Sequence, residues 1–134
     1  MKQMFSQCFS LKSLNLSNFD TSSVEQINNM FYNCSSLISL DLLNFNTSQV
    51  KNMSSMFYNC VNLTFLNISN FDTSNVNDLT FMLKGCLNLE YINFNIINPN
   101  AITNTTKVGL KPHINRTNSK NISIFHLKIK KNSK

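Results

Sequence analysis

Glycine and proline occur only twice each in 134 residues, tryptophan is absent, and only 13% of residues are charged. With so little glycine and proline, turns must be made by Asn, Asp and Ser, whose side chains bond to nearby backbone. Asparagine is the commonest residue and supplies the missing polarity. The only histidines are His113 and His126, both late in the chain. Nucleophilic catalysis needs a Cys or Ser with a base in reach, so no catalytic residues are expected. No Cys-x-x-Cys pair occurs, and no stretch approaches the ~18 consecutive apolar residues of a membrane span. The opening Met1-Lys2-Gln3-Met4-Phe5-Ser6 lacks the apolar run of a secretory signal, so as written nothing exports this chain.

What is present is a period. Cys8, Cys34, Cys60 and Cys86 recur at one constant spacing, which sets a 26-residue period. Met4, Met30, Met56 and Met82 keep the same step, as do Leu11, Leu37, Leu63 and Leu89. Leu14, Leu40, Leu66 and Ile92 form a further column, and Phe19, Phe45 and Phe71 another. So many columns in one register mark an array of repeats. Units that cannot bury their own apolar face bury it against their neighbours. Residues 4–98 are read as about four such units. Residues 99–134 are read as a degenerate last unit followed by a basic tail.

The charge divides at the same place. Residues 1–98 carry four lysines and six acids, net −2, whereas residues 99–134 carry seven lysines and one arginine with no acid, net +8. A basic tail of this kind can attach to nucleic acid or an anionic membrane, but lysines at ordinary spacing show no groove-reading motif. A solvated tail is the simpler expectation. Ile122, Ile124, Leu127 and Ile129 with Phe125 suggest a strand that docks on the last repeat and covers its open edge.

Within a unit, Leu11, Leu14 and Leu16 end in an alternation of period two, which predicts a short strand. Asp20-Thr21-Ser22, Asn46-Thr47-Ser48 and Asp72-Thr73-Ser74 follow, all residue types that cap helices or make Asx turns. Val24, Ile27, Phe31 and Cys34 then fall at i, i+3, i+7 and i+10, which predicts one face of a two- to three-turn helix. The fold class expected is therefore α/β: a right-handed solenoid with parallel short strands on one face and short helices on the other.

The unit Met-Phe-x-x-Cys-x-x-Leu-x-x-Leu-x-Leu-x-Asn-Phe-x-Thr-Ser-x-Val, over residues 4–98, resembles the BspA-like leucine-rich repeat family. The resemblance implies a leucine-rich-repeat solenoid, a place at the cell surface or in secretion, and a role in adhesion. It implies no catalytic residues and no cofactor. Members usually carry a signal sequence and many more repeats. Met1 falls in the column of Ile27 and Met53, inside a unit, which is the pattern of a fragment or truncated frame.

One cysteine per unit forms a line along the stack, and four points on a line cannot converge on a tetrahedral metal. A ladder of buried free thiols is expected instead, and no metal site is assigned. Calcium at the column Asp20, Asn46 and Asp72 is less consistent with the following Thr-Ser than Asx turns are. A binding face is expected on the outward side of the strands. There the stripes are Ser13, Ser39, Phe65 and Tyr91; Asn15, Asp41, Asn67 and Asn93; and Ser17, Leu43, Ser69 and Asn95. Leu43, Phe65 and Tyr91 are large apolar or aromatic groups among polar ones, with Asp41, Asn67 and Asn93 beside them. Such a pattern fits a protein or host-surface ligand; no small-molecule substrate and no nucleic acid are expected, and a membrane only through a parent protein.

Overall fold

A computed structural model describes residues 1–96, Val108 and the segment 125–129. Repeat units stack in register, so that each residue lies against its equivalent one period away. Three parallel strands form one sheet in the order β1 (Phe65–Ile68), β2 (Tyr91–Ile96) and β3 (Phe125–Ile129). Phe65 pairs with Tyr91 and Ile68 with Phe94, and Ile92 pairs with Phe125 in turn. A bridge from Ser39 to Phe65 continues the ladder toward the N-terminus, and a second line of bridges joins Gln26, Asn52 and Asp78. Of the strand expected in the tail, residues 125–129 pair with β2, while Ile122 and Ile124 lie outside the described residues. The remainder of residues 97–134, which carries the basic charge, lies outside the described residues.

The helices expected on the opposite side are absent among residues 1–96, so the chain is not an α/β leucine-rich-repeat solenoid. Residues 24–34 instead form successive turns. The amides of Met30, Tyr32 and Cys34 donate to the carbonyls of Ile27, Asn29 and Phe31, three residues back. The alternate amides of Ile27, Asn29, Phe31 and Asn33 leave the unit and donate to Asn52, Ser54, Met56 and Tyr58 of the next one. A helix would have kept every one of these amides for the carbonyl four residues earlier. Left-handed residues separate the turns, at Asn29 (φ 56), Asn33 (φ 58), Ser55 (φ 53) and Asn59 (φ 57). Asparagine tolerates that conformation because its side chain bonds locally, and a helix interior does not.

Spacing explains the choice. The stacked rings of Phe31 and Phe57 lie 5.6 Å apart, close to the ~4.8 Å between neighbouring strands. Helices pack no closer than about 8–10 Å, so a helix per unit would splay one side of the stack away from the other. A coil of turns keeps both sides at one spacing and shares its backbone hydrogen bonds between units.

Between the two sides lies a continuous core. Met30, Phe31, Cys34, Leu37, Met56, Phe57, Cys60 and Leu63 have no accessible surface. Phe5, Phe31 and Phe57 form one ring stack, with Phe5 and Phe31 at 5.5 Å, and Phe45 and Phe71 form another at 6.5 Å. Thr21, Thr47 and Thr73 are buried too. The Thr21 hydroxyl donates to the Asn46 carbonyl at 3.1 Å and accepts from the Asn46 amide at 2.8 Å, and Thr47 donates likewise to Asp72. The threonine column therefore joins units where backbone groups alone would be unsatisfied in the interior.

Candidate functional site: the outer face of the sheet

Alternation along β1 and β2 decides what this face shows. Leu66, Ile68, Ile92 and Phe94 turn inward with no accessible surface, so Phe65 and Tyr91 turn outward. Their rings are nearly parallel, 4.6 Å apart and inclined by 6°. Phe65 remains 48% exposed and Leu43 56% exposed, although both are large apolar groups. Ile38, next to the bridge residue Ser39, is also exposed. The aromatic pair is flanked on the N-terminal side by the small side chain of Ser39, so the outer ring of Phe65 has no large neighbour in its own column.

The polar residues expected beside this pair do different work. Asp41 accepts a hydrogen bond from the Leu43 amide at 3.0 Å, and Asn67 accepts one from the Ser69 amide at 3.2 Å. Both close Asx turns, as Asn15 does with the Ser17 amide. One carboxylate or amide oxygen of each is thus committed to the fold. Asn93 sits half-buried in β2, opposite Asn67 in the register.

Toward the N-terminus the same face becomes a shallow groove of about 420 Å³. Ser13, Asn15, Ser17, Asp41 and Asn44 contribute to its walls, and the Asn44 amide is held by the Ser17 carbonyl at 3.1 Å. Leu14 and Leu16 line the groove as well, so the face grades from a groove of mixed polar and leucine lining over the first two units to an aromatic ridge over the last two. The column patterning exposes this gradation directly; the groove itself depends on how far the units overlap.

Other columns are structural. Asp20, Asn46 and Asp72 accept from the amides of Ser22, Ser48 and Ser74 at 2.9, 3.0 and 2.9 Å. These are Asx turns without a helix to cap, and the hydrogen bonds from Ser22 hold the Asp20 carboxyl below its usual range. Cys34, Cys60 and Cys86 are free, buried thiols. Each donates to a phenylalanine carbonyl of the preceding unit: Phe5 at 3.1 Å, Phe31 at 3.1 Å and Phe57 at 3.0 Å. Burial pushes Cys34 up to about 11 and Cys86 up to about 12, and raises Cys60 as well. Such thiols are protonated at neutral pH and poor nucleophiles. Among the described residues no group of three or more His, Cys, Asp or Glu is placed to hold a metal ion.

The class these features define is a repeat protein whose units are joined by exchanged backbone hydrogen bonds, with one sheet face left open. The chain belongs to the family described as Mycoplasma protein of unknown function, DUF285, whose model matches residues 1–122. That family is one of unknown function and not specifically the BspA-like one expected from the repeat, and its description assigns no activity. No curated protein and no solved structure matches the chain.

Proposed function

We propose that this protein is a non-catalytic binding module that engages a protein partner, such as a component of a host surface, through the outer face of its sheet. The observation that carries the reading is the Phe65–Tyr91 ring pair standing outward at 4.6 Å, with Leu43 exposed in the preceding unit. Large aromatic and apolar anchors ringed by polar groups are what interface hot spots require. Exposing Phe65 and Leu43 forgoes the gain of burying them, which a partner's surface would restore. The resemblance to BspA-like surface proteins supports an adhesive role at the cell surface.

The test is adhesion of protein-coated beads to a cultured cell monolayer, comparing wild type with the variant Leu43→Ser, Phe65→Ser, Tyr91→Ser. Circular dichroism and urea titration establish that both are equally folded. The reading expects the triple variant to lose most of the adhesion. Undiminished adhesion by an equally stable variant would move the contact off this face.

A further inference from the structure

The ring pair on the outer face is covered on one side only. Phe65 lays one ring face on Tyr91. Its other face is turned toward Ser39, its bridge partner in the preceding unit, one strand spacing or ~4.8 Å away. Ser39 carries no ring, and neither does Ser13 in the unit before it. No aromatic or cationic group among the described residues lies against that second face. The column therefore holds two rings and then an open slot, with Phe65 as one wall and Ser39 as the floor.

Asp41 stands beside this slot. Leu40 and Leu42 are buried while Ser39 and Asp41 are exposed, so the latter two share the outward side. Two residues of extended chain set Asp41 roughly 6–7 Å along from Ser39. Its Oδ1 accepts from the Leu43 amide at 3.0 Å, which fixes the carboxylate. Its other oxygen accepts from no described residue, and no described cation pairs with it. Asp41 is also the only charged residue of the three outward stripes. The amide side chains around it are committed to the backbone. Asn44 donates to the Ser17 carbonyl, and the oxygens of Asn15 and Asn67 accept from the amides of Ser17 and Ser69.

The geometry points to this slot as the seat of an arginine side chain presented by the protein partner. The inference rests on the outer face being the binding face, and it names the group that face holds. The slot offers a flat aromatic surface and, beside it, a fixed carboxylate oxygen without a partner. A guanidinium is planar, always charged and carries its donors in its own plane. Laid on Phe65, it extends the ring stack by one place and gains a cation–π contact. Its N–H edge then donates to the free Asp41 oxygen in a charge-assisted hydrogen bond. Other groups meet only half of these terms. A phenyl ring stacks but leaves the carboxylate alone, a lysine pairs with Asp41 but has no plane to lay on Phe65, and an acidic group is repelled. A sugar ring stacks as well, but the amides that would bond its hydroxyls are already engaged.

The test titrates the isotope-labelled full chain with N-acetylarginine methylamide, following the backbone amide resonances of Ser39, Asp41 and Phe65 by NMR. The lysine and citrulline analogues and methyl glucoside are run beside it, at neutral pH and constant ionic strength. The three resonances should move together, and the arginine compound should bind at least about threefold more tightly than either analogue. Ser39→Phe fills the slot with a third ring and should abolish the binding. Asp41→Asn keeps an acceptor for the Leu43 amide and should weaken binding by about threefold or more. Equal binding of the arginine and lysine compounds, binding that survives Ser39→Phe, or a response to methyl glucoside alone would overturn the assignment. Tighter binding of the compound by Arg116→Ala would give the slot to the chain's own tail and remove the partner's arginine from it. The titration involves no cells, so it is independent of the adhesion result. Adhesion that is lost in the triple variant but intact in both Asp41→Asn and Ser39→Phe would keep the binding face and reject arginine as its ligand.

Discussion

The turn side and the sheet side of one unit bury apolar rows of similar size with different backbones. On the sheet side, Leu66 and Ile92 alternate with outward Phe65 and Tyr91, and the strands pair in a continuous ladder. On the turn side, Phe31 and Phe57 are just as buried, yet every second amide turns back into its own unit and the others cross to the next. The difference shows that in a stack the spacing of apolar side chains along the chain does not select the backbone. The separation between units does, because each backbone group must find its partner at that distance.

The largest expected effect sets the two sides against each other. Phe57→Ala removes a ring from the middle of the turn-side stack and should cost roughly 3–5 kcal/mol, read by urea denaturation. Phe65→Ser, on the open sheet face, should cost less, about 0.5–1.5 kcal/mol from the lost ring pair with Tyr91. Comparable losses at the two sites would mean that the sheet face is part of the core and not a surface.

Raising the pH loads the turn side, which holds the buried thiols. Their folded values, raised to about 11 for Cys34 and about 12 for Cys86 and raised also for Cys60, lie above the ordinary thiol value of ~8.5. Above that pH the unfolded chain has released thiol protons that the folded chain still binds, so stability falls as pH rises. The contribution is complete below about pH 8.5 and is lost as the pH passes through the folded values. Between about pH 8.5 and pH 10 the wild type should lose about 2 kcal/mol more than Cys60→Ala does. Parallel losses would show that Cys60 is not held protonated by burial.

Left-handed residues give a smaller and two-signed effect. Asn29→Ala removes the amide side chain that lets this residue tolerate φ 56 and should cost about 1 kcal/mol. Phe81 occupies the same column with φ 58 and a 39% exposed ring. Phe81→Asn should stabilise by roughly 0.5–1 kcal/mol, after losing the contact of Lys84 with the ring. Thermal denaturation of both variants measures the two signs, and a helix in this segment would reverse the first of them.

For the candidate site, the outward stripe was legible because period two in a strand leaves no choice of face. Phe65 and Tyr91 stand where alternation puts them; Leu43 is exposed too, but on a turn closed by Asp41. That Asp41 and Asn67 spend an oxygen on the amides of Leu43 and Ser69 was less legible. An Asx turn requires the chain to turn just beyond that residue, and where it turns depends on the neighbouring unit. The threonine column was missed as a structural element. Its regular recurrence before serine was visible, but its task is to bond the backbone of the following unit.

The amino-acid order by itself determined the 26-residue period, the columns that line the core, the outward stripe of β1 and β2, and three of the four expected buried thiols, Cys8 being exposed. Each of these follows from side-chain chemistry and position in the repeat. Only the tertiary structure decided that Val24, Ile27, Phe31 and Cys34 lie on a coil of turns. The spacing i, i+3, i+7 serves a helix and this coil equally well. The deciding contacts are amides of one unit reaching carbonyls of the next, about one full period further along the chain. A window of local sequence contains the donor but not its acceptor, and the ~4.8 Å pitch imposed by strand pairing leaves no room for helices in between.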